Sequence, residues 1–150
     1  MAKVTSMKLN LKPISVIETS IGIQKGGPAH AHFTELCMKA MDKYVPMSNQ
    51  SKPHLADKVV NTVDKIIYPG PYAHYMYEGR VMGPNIPIKD KNGRITGWWS
   101  KAPKYYTGEN IVYNTSAHPL ATHHWDKAMW SAEKDDIEKE LQDFVNRGCK

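Results

Sequence analysis

Three histidines and an aspartate in the last third of the chain are the side chains whose types could act as metal ligands: His118, His123, His124 and Asp126. Three neutral imidazoles and a water molecule would give zinc an open site of the kind that activates water for hydrolysis. Adjacent residues of a helix point about 100° apart, however, whereas a helical pair of zinc ligands uses positions i and i+4. The spacing favours a structural role at a helix start, and a small metal-dependent hydrolase built on these histidines is the alternative function.

Other catalytic motifs are absent from the sequence. No Gly-x-Ser-x-Gly elbow marks a nucleophilic serine, and the glycines between residues 22 and 27 are not followed by the Gly-Lys-Ser/Thr of a phosphate-binding loop. Cys37 lies on the apolar side of a helical pattern, where a thiol packs as a small hydrophobic group. The sequence therefore predicts a protein that is not an enzyme and that uses no cofactor or metal.

Composition places the chain among ordinary soluble domains, with 150 residues, 41% of them apolar and 23% charged. Its two cysteines, Cys37 and Cys149, fit a reducing compartment rather than a disulfide framework. No signal peptide or membrane-spanning run is recognisable, so we expect a protein of the cytosol with no membrane partner. The net charge of +5 would allow contact with nucleic acid or an acidic partner, but the 20 Lys and Arg residues are scattered, which is typical of a solvated surface.

The N-terminal half is predicted to contain one strand and two helices. Apolar and polar residues alternate at residues 7–11, which predicts a strand, and residues 14–23 are predicted to form a short helix. A clearer helix begins at Pro28, whose missing N–H costs nothing in a first turn, and ends near Val45 and Pro46. Its apolar face has helical spacing and consists of Phe33, Leu36, Cys37, Ala40, Met41 and Tyr44.

Two strands are predicted in the middle of the chain. Residues 47–53 are expected to be an exposed loop, residues 56–68 a second strand, and the Pro-Gly-Pro sequence at 69–71 the turn of a hairpin. A third strand would follow and end at Gly79. On it, Tyr72, His74, Met76 and Glu78 would face one way, and Ala73, Tyr75 and Tyr77 the other. A strand with aromatic side chains on both faces is covered on both or meets another subunit.

Residues 80–114 are rich in glycine and proline and form a long connection for so small a domain, which indicates a function of its own. Within it, residues 86–99 have the composition of a projecting β-hairpin with Asn-Gly at 92–93 as its tip. Trp98 and Trp99 are adjacent, so they cannot both point into the same core. At least one of them is expected to meet a partner surface or pack along the other face of the hairpin.

A short returning strand is predicted at residues 111–113, followed by a last helix with Thr122 as N-cap and Gly148 as stop. The apolar stripe of this helix is Trp125, Ala128, Met129, Ala132, Ile137, Leu141, Phe144 and Val145. Together the elements predict an α+β fold in a single domain, residues 1–150, with the hairpin insertion at about 80–114. A small antiparallel sheet with a projecting β-hairpin would pack against a helix of the N-terminal half and the C-terminal helix.

Aromatic and aliphatic side chains on the tyrosine segment and the hairpin are predicted to form contacts between subunits, because a lone domain of this size has no reason to expose them. The candidates are Tyr72, Tyr75, Tyr77, Ile86, Ile88, Ile95, Trp98, Trp99, Tyr105 and Tyr106.

Four segments in a fixed order resemble the minor capsid protein family of long-tailed phages of Gram-positive hosts, the second of three such genes between major capsid and tail tube. The segments are Tyr44-Val-Pro-Met47, Leu55-Ala56, Pro71-Tyr-Ala-His-Tyr75 with Tyr77-Glu-Gly79, and His118-Pro-Leu-Ala-Thr-His-His-Trp-Asp-Lys127. The resemblance covers most of the chain from residue 44 to residue 145 and extends, more distantly, to phage head-tail joining and tail-completion proteins.

This resemblance implies a structural component of the virion neck. Such a subunit forms a homo-oligomeric ring, of six or twelve copies, between the portal complex of the capsid and the tail tube, and phage DNA passes non-specifically through its lumen. Its other partners would be adjacent connector and tail-terminator or tail-tube proteins, and it would occur in the virion and, during assembly, in the host cytoplasm. A nucleic-acid-binding module is a third possibility, which predicts salt-dependent affinity for free duplex.

Overall fold

The computed structural model describes residues 14–47, 54–70 and 72–150, and the elements in these ranges form an α+β fold, as the sequence predicts. The helices are α1 (Ile14–Ile21), α2 (Pro28–Asp42), α3 (Ala73–Glu78) and α4 (Trp125–Asn146), with a 3₁₀ turn at Ala56–Lys58. The strands are β1 (Val60–Asn61), β2 (Ile66–Ile67), β3 (Arg80–Lys89) and β4 (Ile95–Asn110), and they form two antiparallel pairs, β1–β2 and β3–β4. The strand predicted at residues 7–11 and most of the loop predicted at 47–53 lie outside the described ranges.

The core lies between α2 and α4, whose apolar stripes face each other. Burying one large apolar side chain contributes about 1.5–3 kcal/mol before the entropic costs of folding, so this helix pair supplies much of the stability of the fold. Val45, just beyond α2, has no exposed surface (0%). The buried cluster comprises Leu36, Cys37, Met41, Tyr44, Val45, Leu55, Ala56, Ala73, Trp125, Met129 and Ile137.

Both helices predicted in the N-terminal half are confirmed. The short helix expected at residues 14–23 is α1, which ends at Ile21 because Gly22 takes a positive φ of 77°. The second helix, α2, begins at Pro28, as its sequence predicts.

The C-terminal helix is also confirmed, but its predicted N-cap is wrong. Helix α4 begins at Trp125, and the N-cap is His124, in the left-handed conformation with no side-chain cap, rather than Thr122. The backbone N–H of Thr122 instead donates to the oxygen of Tyr44, which holds this segment against the end of α2. At the other end Gly148, with φ of 77°, stops the helix as predicted.

The tyrosine segment predicted as a strand is a helix, α3. Its buried and half-buried residues Ala73, Met76 and Tyr77 stand at i, i+3 and i+4 and pack on the core. The same sequence therefore also has the periodicity of a helix with one apolar face. Gly79 closes the helix in the left-handed conformation and donates its N–H to the oxygen of Tyr75 at 3.0 Å.

The strand predicted at residues 56–68 is replaced by a 3₁₀ turn and a small hairpin of its own. Strands β1 and β2 pair with each other, with Val60 opposite Ile67 and a turn closed by Thr62 and Lys65. The predicted pairing with the tyrosine segment is therefore wrong, because that segment satisfies its backbone groups within α3.

The predicted projecting hairpin is confirmed and consists of β3 and β4. It spans Arg80–Asn110 and is therefore longer than the predicted 86–99. At the tip, the carboxylate of Asp90 accepts hydrogen bonds from the backbone N–H groups of Asn92 and Arg94. Gly93 has a positive φ of 80°. The short strand predicted at residues 111–113 is not formed, since this segment runs along α3 without strand pairing.

No helix in the described ranges combines the length and the apolar character that crossing a bilayer requires.

Candidate subunit interface

The β3–β4 hairpin carries apolar side chains on both of its faces. Ile86 pairs with Trp99, and the next pair along the strands joins Pro87 to Trp98. Because successive residues of a strand alternate between faces, the two tryptophans lie on opposite sides of the ribbon. Ile88, across from Gly97, lies on the side of Trp99.

These side chains are uncovered in the described structure. Trp98 exposes 62% of its surface and Trp99 53%, whereas Trp125 in the core exposes 3%. A two-stranded ribbon without a third strand or a helix on either face is marginally stable by itself, which is typical of an element that is completed by a partner. The predicted hairpin residues that expose at least 40% of their surface are Ile86, Ile88, Ile95, Trp98, Trp99, Tyr105 and Tyr106.

Prolines interrupt both edges of the ribbon. Pro84 and Pro87 lie in β3 and Pro103 in β4, and the strand register shifts between Gly83 and Asn85. Proline has no N–H to donate, and the register shifts interrupt the row of backbone groups, so a continuous third strand is disfavoured along either edge. The ribbon therefore offers its faces, rather than its full edges, to a partner.

Helix α3 holds the base of the hairpin. Its last turn leads through Gly79 directly into β3, and the backbone N–H of Ile111, just after β4, donates to the oxygen of Gly79 at 2.9 Å. The hydroxyl of Tyr113 donates to the oxygen of Met76 at 2.6 Å. Both strands of the hairpin are therefore fixed to the same turn of α3.

The three predicted tyrosines of α3 are not equivalent. Tyr72 is exposed at the N-cap of α3, whereas Tyr75 and Tyr77 are half-buried. Tyr77 packs edge-on against Trp125 and donates its hydroxyl to Asp126 at 2.8 Å. Burial, with the bond to Asp126, raises the pKa of Tyr77 to about 12, so it is a neutral donor at physiological pH. Tyr77 therefore packs on the core between the helices, whereas Tyr72 lies on the exposed surface.

A groove of about 520 Å³ lies between α3 and the base of the hairpin. It brings Tyr72 and Tyr75 together with Arg80 and Lys104, and the Lys104 ammonium donates to the side-chain oxygen of Asn85 at 3.2 Å. Tyr106 lies on the other side of Arg80, whose guanidinium is 5.3 Å from its ring centre. The sequence pattern did not predict this groove, because it depends on α3 being a helix.

Lys and Arg are scattered along the chain, as the sequence indicates, but the hairpin and α4 carry net charges of opposite sign. Residues 80–110 contain six Lys and Arg and two Asp and Glu, a net charge of +4. Helix α4 contains seven Asp and Glu and three Lys, a net charge of −4. Counting charges by segment would have found this asymmetry in the sequence, whereas the total of +5 conceals it.

The histidine cluster is built into the junction between α3 and α4. Nδ1 of His118 is hydrogen-bonded to the main-chain oxygen of Val45 at 2.8 Å. The ring of His124 makes edge-on contacts with Tyr77 and His123. Its Nε2 lies 3.7 Å from the carboxylate of Glu78. Among the described residues, no three His, Cys, Asp or Glu side chains are arranged so that they could hold a metal ion. These contacts give each ring a packing or hydrogen-bonding role.

Comparisons of the chain with protein-family models, with curated proteins and with solved structures find no match. The resemblance to phage minor capsid proteins therefore depends on the four sequence segments.

Proposed function

We propose that this protein is a structural subunit of a tailed-phage virion neck, where copies of it form a ring that joins the portal complex to the tail tube and lets DNA pass. The observation that carries the proposal is the ribbon formed by β3 and β4, which exposes tryptophan and isoleucine on both faces. A ring is built from head-to-tail contacts, so each subunit needs two different surfaces, one of which projects onto its neighbour. The hairpin has the shape and composition of the projecting surface.

Supporting observations come from the rest of the chain. Helix α3 fixes the hairpin at both of its ends, so its apolar faces are presented in a defined direction. Preorganisation of this kind reduces the entropic cost of binding. The histidines that the hydrolase alternative requires are used in packing, which favours a structural role over a catalytic one.

The test is a shortened hairpin in the full-length protein. Asn85 and Ser100 are already opposite each other, so replacing residues 86–99 by Asn-Gly closes the ribbon with a two-residue turn and removes both tryptophans. We expect a folded variant that forms no rings in negative-stain images, alone or with its neighbouring neck proteins, and phage lysates with unjoined heads and tails. Normal rings and infectious particles would contradict the proposal.

Two further variants separate loss of contact from loss of folding. Trp98→Thr combined with Trp99→Thr keeps β-forming residues in the ribbon and removes only its largest exposed side chains, and it should also prevent ring formation. Leu120→Ser changes an apolar residue that is 50% exposed outside the hairpin and should leave rings intact. Circular dichroism with equal thermal midpoints would establish that all three proteins are folded.

A further inference from the structure

The two most highly charged elements of the fold have opposite signs and do not meet within one chain. Hairpin β3–β4 carries a net charge of +4 and helix α4 a net charge of −4. In the described part of the chain, the hairpin packs on α3, and no ion pair joins it to α4. As far as residues 14–47, 54–70 and 72–150 are concerned, each surface is therefore available to a complementary surface on another molecule.

Helix α4 presents its carboxylates in an ordered row. Asp136, Glu140 and Asp143 stand at i, i+4 and i+7, so they lie on one side of the helix, and all three are exposed. None of them has a cation within 4.0 Å among the described residues, in contrast to Glu133, which pairs with Lys43, and Glu138, which pairs with Lys134.

Apolar surface lies on the other flank of α4, because Leu141 and Val145 stand about 100–180° around the helix from the three carboxylates. Leu141 and Val145 of α4 line a groove of about 450 Å³ against α2, together with Phe33. Trp130, 38% exposed, packs edge-on against the same Phe33. Helix α4 thus carries negative charge on one flank and uncovered apolar and aromatic surface on the other, where Lys25 also lines the groove. Both kinds of surface complement a basic ribbon that carries tryptophans.

We propose that the hairpin of one copy docks on helix α4 of a second copy, with its cations on the carboxylate row. This inference rests on the proposed ring and identifies the surface that receives the hairpin. The contact is heterologous, because each copy supplies a hairpin on one side and a helix on the other, and such contacts close into a ring when the rotation between neighbours permits. Opposite charges set the orientation, and the tryptophans supply the buried area.

A second copy fits the hairpin better than nucleic acid does. Cations and aromatic rings would suit both partners, but Ile86, Ile88 and Ile95 are also uncovered on the ribbon. Isoleucine has no planar ring to stack on a base, and it gains little against a hydrated phosphate backbone. Aliphatic and aromatic side chains together are typical of a surface that packs on protein.

Charge reversal in the full-length protein tests the pairing. In the hairpin-reversed variant, Lys89→Glu and Lys101→Glu change two exposed cations, and in the helix-reversed variant, Asp136→Lys and Glu140→Lys change two exposed carboxylates. Each variant should associate with itself about tenfold or more weakly than the original protein, measured by sedimentation velocity, since the substitutions cancel the net charge of one element and the substituted side chains meet like charges across the contact. A control that carries Lys58→Glu and Lys65→Glu, outside both elements, should associate normally.

Restoration is the decisive readout. A chain with all four substitutions should recover association to within about threefold of the original, because the substituted side chains again meet opposite charges across the contact. The two single-element variants, mixed in equal amounts, should associate with each other more tightly than either variant associates with itself. Charge reversals that merely damaged folding would not be repaired in either experiment.

Failure of this inference can be told apart from failure of the proposed function. If the shortened hairpin abolishes rings while the fourfold variant stays as weak as its parents, the hairpin forms the ring contact but α4 does not receive it. A second pair of results would also overturn the inference. A short DNA duplex would bind the original protein and the helix-reversed variant equally well but the hairpin-reversed variant more weakly, and the helix-reversed variant would still associate with itself normally. Those results would identify the hairpin as a nucleic-acid surface.

Discussion

The hydroxyl of Tyr113 donates a 2.6 Å hydrogen bond to the main-chain oxygen of Met76, and this contact joins the segment that leaves the hairpin to the helix that precedes it. Met76 lies in the last turn of α3, where carbonyl groups have no partner within the helix. The bond therefore satisfies an otherwise unpaired carbonyl and at the same time fixes the base of the hairpin.

Tyr113→Phe should destabilise the protein by about 1 kcal/mol, because it removes this one hydrogen bond and keeps the ring. Urea denaturation should show a lower midpoint with an unchanged slope. Tyr106→Phe is the matched control, since its hydroxyl bonds Asn110 at an exposed position, and it should change the free energy of unfolding by less than about 0.5 kcal/mol. Equal effects of the two substitutions would show that the Tyr113 bond has no special structural role.

Gly79→Ala should be more damaging than the same change at another left-handed glycine. At Gly79, φ is 71°, and an added Cβ would lie 3.0 Å from the Cβ of His123 and 3.1 Å from the hydroxyl of Tyr113. Gly93 has a similar φ of 80°, but no heavy atom lies within 4 Å of a Cβ added there. Both substitutions place alanine in the left-handed region, which costs about 1–2 kcal/mol of stability.

The difference between these two variants in denaturation experiments isolates the cost of the close contact at the junction of α3 and α4. We expect Gly79→Ala to exceed Gly93→Ala by about 1 kcal/mol or more, in the range that overpacking usually costs. If the two values agree, the junction has room to relax, and α3 does not hold the hairpin rigidly.

Stability should fall in alkaline solution because of the core tyrosines. Burial, with a smaller contribution from the Asp42 carboxylate, raises the pKa of Tyr68 to about 12. In the unfolded chain this pKa is about 10, so above pH 10 the unfolded state releases the proton first and the folded state loses stability as pH rises towards 12.

Tyr68→Phe keeps the edge-on ring contact with Trp125 and removes the titrating group. The free energy of unfolding of this variant should therefore decrease less steeply between pH 10 and about 12 than that of the original protein. Tyr77→Phe should act in the same direction, since the pKa of Tyr77 is also raised to about 12. Identical slopes for the Tyr68→Phe variant and the original protein would show that Tyr68 ionises normally in the folded state.

Sequence patterns predicted the long elements of this fold and the short helix α1, but they failed on α3 and on the β1–β2 pair. The apolar positions of α2 and α4 repeat over several turns, so their period is unambiguous, and the Asn-Gly tip of the hairpin has a strong turn preference. In the six residues of α3, by contrast, both period-2 and period-3.6 patterns can be drawn. Packing of Ala73 and Tyr77 on the core decides between them, and packing is not visible in local sequence.

The candidate interface was predictable in part. The exposed tryptophans and isoleucines followed from turn chemistry and strand alternation alone. The groove beside Arg80 and the carboxylate row on α4 did not, because the first depends on α3 and the second was hidden in the net charge of the whole chain.

Proteolysis should distinguish free subunits from assembled ones at the hairpin tip. Lys89, Lys91 and Arg94 are exposed there, so trypsin should cut the free subunit at these sites. In the ring, where the hairpin lies on a neighbouring subunit, cleavage at the tip should become at least about tenfold slower, because it requires the contact to open first. Lys65, in the exposed turn between β1 and β2, serves as an internal reference that should be cut at similar rates in both forms. Mass spectrometry of timed digests measures both sites in one sample, and equal protection of tip and reference would place the hairpin outside the contact.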